Sequence, residues 1–206
     1  MNRKYGIIVL IFIVAFGLTC TKKVMVRRYY VIELPAVVMA TFADSTQFDK
    51  KVDVRDFQIA RAFDQTRIAL RTNTNELDYY YYHHWAVRPS SAVADFVYDM
   101  LVQMKLFSNV ARDISYNPEY LITGDVKSIE RIHIRKKSYA HVYIIMNFLD
   151  ADTEEVLVHF QDDQTVLLEP DGGMNTFSRK ISEITAEINL AFLQRVEEYL
   201  SSLSDY

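Results

Sequence analysis

Apolar and polar residues alternate along much of this chain, and the alternation predicts β-strands before and after an early helix. A first strand is predicted at residues 29–34, and a second lies within residues 51–59. Two further strands, at 67–71 and 77–85, flank the turn-forming sequence NTN at 73–75, which indicates a β-hairpin.

Three later strands, at 120–134, 139–149 and 155–168, are separated by short charged turns and predict an antiparallel meander. In the middle strand every second residue is apolar, so one face of that strand is predicted to be core. These residues are Ala140, Val142, Ile144, Met146 and Phe148.

Two amphipathic helices are predicted from apolar residues that recur every three or four positions. Pro89 suits the first position of one helix, whose apolar face contains Val93, Phe96, Val97, Met100, Leu101, Met104 and Phe107. Asn175 is a predicted N-cap for the other, whose apolar face contains Phe177, Ile181, Ile184, Ile188, Phe192, Val196 and Tyr199. The predicted fold is a single α+β domain, with a mainly antiparallel sheet and both helices packed on one face.

The N-terminus carries a different pattern, in which Arg3 and Lys4 precede an unbroken apolar run at 6–18. This run is shorter than the ~20 residues of a typical spanning helix and is typical of a secretory signal peptide. Cys20, the only cysteine in the chain, directly follows the run and Thr19. We expect residues 1–19 to be a lipoprotein signal peptide, residues 20–28 a short segment next to the anchor, and residues 29–206 the domain.

Acylation of the Cys20 thiol would give the two lipid chains that stable membrane attachment requires. The three residues before the cysteine, Gly17-Leu18-Thr19, differ from the usual lipoprotein signal, which has Leu three residues before the cysteine and a small residue directly before it. An uncleaved anchor helix and ordinary cleavage that leaves a free thiol are therefore alternatives. Thr21 is not the Asp that retains some lipoproteins at an inner membrane, which favours the outer membrane.

The amino-acid composition argues against several classes of function. The chain has 23 basic and 27 acidic side chains, and loss of Arg3 and Lys4 with the signal peptide would change the net charge from −4 to −6. This balance argues against nucleic acid as a partner. After Cys20 the only glycines are Gly124, Gly172 and Gly173, so glycine-rich phosphate loops and the nucleophile elbow are excluded. No catalytic set and no cofactor are predicted.

Three groups of residues are candidate contact or ligand positions. His133, His141 and His159 lie on three successive predicted strands and, in one register, would form a row within reach of a zinc ion; in another register the row dissolves. Arg131, Arg135 and Lys137 share one face of a predicted strand with His133 and form a basic stripe suited to anionic lipid or an acidic partner. Alternation sends two residues of the run Tyr79, Tyr80, Tyr81 and Tyr82 to each face, so one pair is available for an interface.

Several stretches resemble the ABC-type transport auxiliary lipoproteins. These are RYYVIELP near the mature start, the segment from VDVRDF through the tyrosine run to Trp85 and Pro89, the helix ending MKLFSNV, and later YLITGDV and FLDADTEEVL. Trp85 matches the tryptophan of the family pattern, whereas His84 and Val87 replace the charged neighbours that often accompany it.

The resemblance implies a periplasm-facing lipoprotein that works with an ABC permease and ATPase and with a substrate-binding MCE-type protein to move lipids or other hydrophobic molecules. It implies a non-catalytic binding or scaffolding role, with oligomeric rings among the expected assemblies. Cys20 would be the anchor, and the tyrosines, Trp85, Arg131, Arg135 and Lys137 would be the contact residues. Two alternatives remain: a structural or assembly lipoprotein of an outer-membrane complex that does not touch cargo, and an exported metal-binding protein.

Overall fold

A computed structural model describes residues 25–35, 47–113, 117–170 and 172–204. The predicted signal peptide and Cys20 lie outside the described residues. Within them the chain forms nine strands and two helices: β1 (Arg28–Tyr30), β2 (Phe48–Val54), β3 (Gln58–Ile59), β4 (Arg67–Asn73), β5 (Glu76–Trp85), α1 (Pro89–Met104), β6 (Phe107–Arg112), β7 (Tyr120–Ile134), β8 (Lys137–Asp150), β9 (Val156–Leu167) and α2 (Met174–Ser204).

Strand β7 organises the sheet because it is long enough to pair with several strands at once. Along one edge it pairs with β2, β3 and β4 in turn, all parallel to it. Its other edge pairs with β8 over nearly the whole length, antiparallel, and β9 pairs with β8. The predicted meander and the predicted β4–β5 hairpin are confirmed.

The α+β class is confirmed, and the antiparallel ladders contain most of the paired residues. The sheet is nevertheless mixed, since β1 pairs with β5 and β2 pairs with β6 in parallel. The predicted first strand is shorter than expected and ends at Tyr30. The predicted strand at 51–59 is divided into β2 and β3, which pair with successive parts of β7.

Both helices form where they are predicted. The predicted end of the first helix and the predicted N-cap of the second are wrong. Pro89 is at the start of α1, as predicted, but the helix ends at Met104 because Lys105 adopts a left-handed conformation (φ 53°). Phe107 therefore begins β6 and is not on the helix. Helix α2 begins at Met174, so Asn175 lies inside its first turn and the predicted N-cap is wrong.

The core lies between the sheet and the helices. All five predicted core residues of β8, from Ala140 to Phe148, are fully buried. Helix α2 contacts β8 and β9, α1 contacts β6 and β7, and the two helices contact each other. Aromatic rings connect these layers: Trp85 packs on Phe177, and Phe160 packs on Phe192. A hydrogen bond from the Glu33 backbone N–H to Ser182 Oγ fixes the N-terminal segment to α2.

Candidate functional site: a basic cavity beside the start of helix α2

A cavity of about 500 Å³ lies between the β7–β8 turn and the connection from β9 to α2. One part of its wall is polar and contains Arg131, His133, Lys136, Lys137, Ser138 and Glu169. The other part is apolar and contains Leu70, Tyr80, Leu167, Leu168 and Pro170. The structure thus brings Tyr80, Arg131 and Lys137, three of the predicted contact residues, to one site.

Arg131 connects this cavity to the first turn of α2. Its Nη2 donates to Ser138 Oγ at 3.1 Å and to the Gly172 carbonyl oxygen at 3.2 Å. Its Nη1 lies 3.4 Å from the Met174 sulfur, which is a weak acceptor. Arg131 Nε is buried and makes no hydrogen bond within the part of the chain that the structure describes. Of the five N–H groups of the guanidinium, the Nε N–H and one on Nη1 therefore lack an acceptor among the described residues.

Ser138 links Arg131 to His133 through two hydrogen bonds. Ser138 Oγ accepts from Arg131 Nη2, so its hydroxyl proton is available to donate to His133 Nδ1, at 3.0 Å. His133 lines the cavity wall beside the three cationic side chains.

The turn between β7 and β8 consists of Arg135 and Lys136, and both have left-handed backbones (φ 49° and 67°). Two-residue hairpin turns of this kind favour Asn and Gly, because residues with a Cβ are strained there.

The predicted basic stripe does not lie on one strand. Strand β7 ends at Ile134, Arg135 belongs to the turn and does not line the cavity, and Lys137 begins β8.

A bulge in β7 explains why Arg131 and His133 face the cavity. The β7–β8 register shifts between Val126 and Ser128, and this reverses which residues face the helices. After the shift Arg131 pairs with Ala140 and His133 pairs with Ser138, on the side of the sheet that contains the core residues of β8. Strict alternation along β7, without the bulge, would place His133 on the opposite face.

The predicted histidine row does not form. The register places His141 opposite Glu130 and His159 opposite Asn147, and the bulge moves His133 to the other face of the sheet. Among the described residues there is no group of three or more metal-ligating side chains close enough to hold an ion. The zinc-site hypothesis is therefore wrong for these histidines.

The tyrosine run also departs from simple alternation. Arg67 pairs with His84 but Ala69 pairs with Tyr79, so residues 80–83 of β5 lie opposite Ile68 alone. Tyr81 is 67% exposed, and Tyr82 packs edge-to-face against it. Tyr79 and Tyr80 are half-buried; the Tyr79 hydroxyl donates to the Ala62 carbonyl oxygen, and Arg67 lies over its ring.

Trp85 is not a surface residue in this chain. It is 2% exposed and packs on the buried ring of Phe177 in α2. The prediction that Trp85 makes partner or lipid contacts is wrong, because a side chain this deeply buried is part of the core. Two positions earlier, Nδ1 of His83 forms a hydrogen bond with the Tyr30 hydroxyl. Burial, together with the charges of Arg28 and Arg131, lowers the pKa of His83.

A second polar cluster, which the sequence reasoning missed, crosses the sheet at Glu130. Glu130 is 1% exposed and its Oε1 accepts from Arg71 Nε at 2.9 Å and from His141 Nδ1 at 3.1 Å. His141 Nε2 donates to Asp163 Oδ1 at 2.8 Å. A glutamate directly opposite a histidine on a neighbouring strand is the signal for such a pair, but it becomes visible only once the register is known.

The geometry of this cluster makes His141 an imidazolium. Both ring nitrogens face carboxylate oxygens, which only accept when ionised, so both must donate. Burial lowers the pKa of His141, but the hydrogen bonds to Glu130 and Asp163 outweigh it and raise the pKa above its ordinary value. Ser128 Oγ lies 3.4 Å from the ring, and a protonated imidazole has no lone pair to accept its proton.

Comparison with known proteins identifies the family. Residues 30–188 match the family of ABC-type transport auxiliary lipoprotein components. The chain belongs to this family. A search of curated proteins finds none that matches the sequence of this auxiliary lipoprotein.

Two crystal structures share its fold. A crystal structure of a Xanthomonas campestris protein has a TM-score of 0.68 at 18% identity, covering 85% of this chain and 99% of that one. A crystal structure of an uncharacterized protein has a TM-score of 0.62 at 9% identity, covering 83% and 99%. PelC from Paraburkholderia phytofirmans, a dodecamer, gives a TM-score of 0.45 at 14% identity, covering 73% and 89%. No helix within the described residues of the auxiliary lipoprotein is long and apolar enough to cross a membrane.

Proposed function

We propose that this protein is a non-catalytic lipoprotein that is attached to the membrane through acylated Cys20 and serves an ABC/MCE-type system that moves lipids or other hydrophobic molecules across the cell envelope. The family match over residues 30–188 carries the proposal. The apolar run that ends at the only cysteine supports the anchor. In this proposal the domain faces the periplasm, from the outer membrane, and other subunits bind and hydrolyse ATP.

The surface of the domain supports a contact role. The cavity combines cationic and apolar side chains, and exposed Tyr81 lies on the irregular part of β5. Tyrosine and arginine are enriched at protein interfaces, whereas charged residues that cannot be paired are depleted there. We propose Tyr81 and Tyr82 as partner contacts and the cavity residues as ligand contacts.

The test begins with the full chain purified from the cell envelope. Mass spectrometry of the N-terminal peptide should show diacylated Cys20, and crosslinking in intact envelopes should identify an ABC permease, its ATPase or an MCE-type protein as a neighbour. Cys20→Ala should abolish the diacyl adduct in the same measurement. The free energy of unfolding should stay unchanged in this variant, since the described core begins at Tyr30.

Two results would contradict the proposal. An unmodified Cys20 would remove the acyl anchor. Crosslinks confined to an outer-membrane assembly, with no transporter subunit and no MCE-type protein, would favour the alternative role of a structural or assembly lipoprotein.

A further inference from the structure

We propose that the basic cavity beside α2 binds the phosphate of an anionic phospholipid headgroup. The proposal extends the proposed function by naming a ligand for one site. It depends only on side chains of this chain, so it is tested by lipid binding to the purified protein, whether or not transporter subunits are found beside it.

Charge is the first argument. Among the described residues that line the wall, three are cations, Arg131, Lys136 and Lys137, and one is a carboxylate, Glu169. The whole chain has a net charge of −4, so this local excess of positive charge departs from the rest of the molecule. The connection from β9 to α2 also carries Asp171 in its sequence, which lies outside the described residues. A cationic cavity of this kind attracts an anion.

Unsatisfied hydrogen-bonding capacity is the second argument. Arg131 Nη1 has two N–H groups, and among the described residues its acceptor is the Met174 sulfur, which is weak. Phosphate oxygens are the acceptors that a guanidinium binds most favourably, because the planar fork matches their geometry.

The apolar wall distinguishes a lipid from a free phosphate. Leu167 is 53% exposed at the end of β9, and Leu70, Tyr80 and Pro170 continue the apolar surface. Inorganic phosphate would leave these side chains in water, whereas the glycerol and first acyl methylenes of a phospholipid would cover them. A volume of about 500 Å³ lies within the range of ligand pockets and suits a headgroup with its glycerol.

The backbone of the turn is consistent with a ligand site. Lys136 adopts a left-handed conformation that glycine would adopt without strain, yet the chain has a lysine there that lines the cavity. Strained residues of this kind are concentrated at functional sites.

The test uses the full chain in a neutral maltoside detergent and measures bound lipid by native mass spectrometry. The probes are dioleoyl phosphatidylglycerol, zwitterionic dioleoyl phosphatidylcholine and inorganic phosphate. We expect one phosphatidylglycerol per protein, bound at least tenfold more tightly than phosphatidylcholine or inorganic phosphate, with an affinity that falls as salt is raised. The double variant Lys136→Gln/Lys137→Gln should lower that affinity at least tenfold, and Glu169→Gln should raise it.

Matched controls separate a local site from general charge. Lys105 is exposed and has a left-handed backbone like Lys136, and Lys50 lies on strand β2; neither lines the cavity. Lys105→Gln/Lys50→Gln should bind phosphatidylglycerol as the parent does. Far-UV circular dichroism checks that each variant is folded.

Three outcomes would overturn the proposal: equal binding of the two lipids, unchanged binding in the Lys136/Lys137 variant, or inorganic phosphate that binds as tightly as phosphatidylglycerol. Loss of lipid binding with transporter crosslinks intact would remove the cavity proposal alone. Lipid binding without such crosslinks would remove the transport proposal and retain the cavity.

Discussion

Gly124 lies in the interior of β7, where glycine normally weakens a strand because it has no side chain to pack. Here the ring of Phe57, itself 5% exposed, occupies the space that a side chain would take. A Cβ on Gly124 would overlap the Phe57 ring at Cε2, well inside van der Waals contact. Glycine is therefore required for the close approach of this ring to the central strand.

We predict that Gly124→Ala lowers the free energy of unfolding by about 1–3 kcal/mol, the range typical of overpacked cores. Gly173→Ala is the control, because a Cβ there meets nothing within 4 Å and the residue does not have a positive φ. Urea unfolding followed by circular dichroism measures both. Equal stability of the two variants would show that Phe57 moves aside without penalty.

The position of Trp85 in the core, unlike the need for glycine at 124, depends on a residue far away in the chain. A lone tryptophan in an aromatic strand is compatible with an interface or with a core, and the sequence pattern alone favours neither. The decision depends on Phe177, which lies 92 positions later in the chain and packs on the indole in the folded protein. Only the docking of α2 makes Trp85 a core residue.

Among the secondary-structure elements, the bulge at Lys127 has the largest consequence. Strands β7 and β8 were predicted almost to the residue, but the extra residue in β7 reverses the alternation for the rest of that strand. Glu130 consequently faces His141, and Arg131 faces the start of α2. Both polar sites of the molecule follow from this one irregularity.

The β7–β8 turn gives a prediction about strain. Two residues with side chains in left-handed conformations each cost about 1 kcal/mol relative to residues that favour this region. Replacing Arg135–Lys136 with Asn–Gly should therefore raise the free energy of unfolding by roughly 1–2 kcal/mol, measured by urea unfolding.

The same substitution removes Lys136 from the cavity, so phosphatidylglycerol affinity should fall while stability rises. A variant that gains no stability would show that the turn is not strained. Lys136→Gln, which keeps a side chain at the strained position, is the comparison that should gain none.

The cluster of Glu130, Arg71, His141 and Asp163 predicts a pH dependence. The pKa of His141 is raised, so its contribution to stability is complete below pH 6.5 and is lost as the pH rises through the higher folded-state pKa. Burial raises the pKa of Glu130, but the hydrogen bonds from His141 and Arg71 outweigh it and lower the pKa. The Glu130 contribution is present above pH 4.5 and is lost as the pH falls through the lower folded-state pKa.

This cluster should therefore stabilise the fold most between pH 4.5 and 6.5. Free energies of unfolding measured from pH 4 to 9 should decline above pH 6.5 in the parent, and His141→Gln should flatten that decline. His159→Gln is the control, because His159 is exposed and its ring hydrogen-bonds to Asn147. A decline that persists unchanged in His141→Gln would assign the effect to other groups.

At the scale of the whole molecule, the strand pairs that the sequence predicts correctly are those between strands that are neighbours in the chain. The β4–β5 hairpin and the β7–β8–β9 meander join strands that are neighbours in the chain, so turn residues and alternation were enough. The parallel contacts of β7 with β2, β3 and β4 join segments separated by much longer stretches of chain. Strand β6, which pairs in parallel with β2, was missed for the same reason.

The cavity is a property of the whole molecule as well. Residues of five strands line it: Leu70 on β4, Tyr80 on β5, Arg131 on β7, Lys137 on β8 and Leu167 on β9. The sequence identified three of these as contact residues, but it placed Arg131 and Lys137 on one strand and gave no indication of Glu169. A lining that comes from five strands depends on their registers, and register is set by pairing across the sheet.

The sequence by itself determined the export signal pattern, the α+β class, the strands of the meander, the start of α1 and the family resemblance. These follow from residues close together in the chain, where alternation, helical periodicity and turn chemistry act. The tertiary structure decided the burial of Trp85, the division of the three histidines between two faces and the meeting of basic and apolar side chains at one cavity. Each of these depends on the β7 bulge or on the packing of α2, because only the folded chain brings such distant residues into contact.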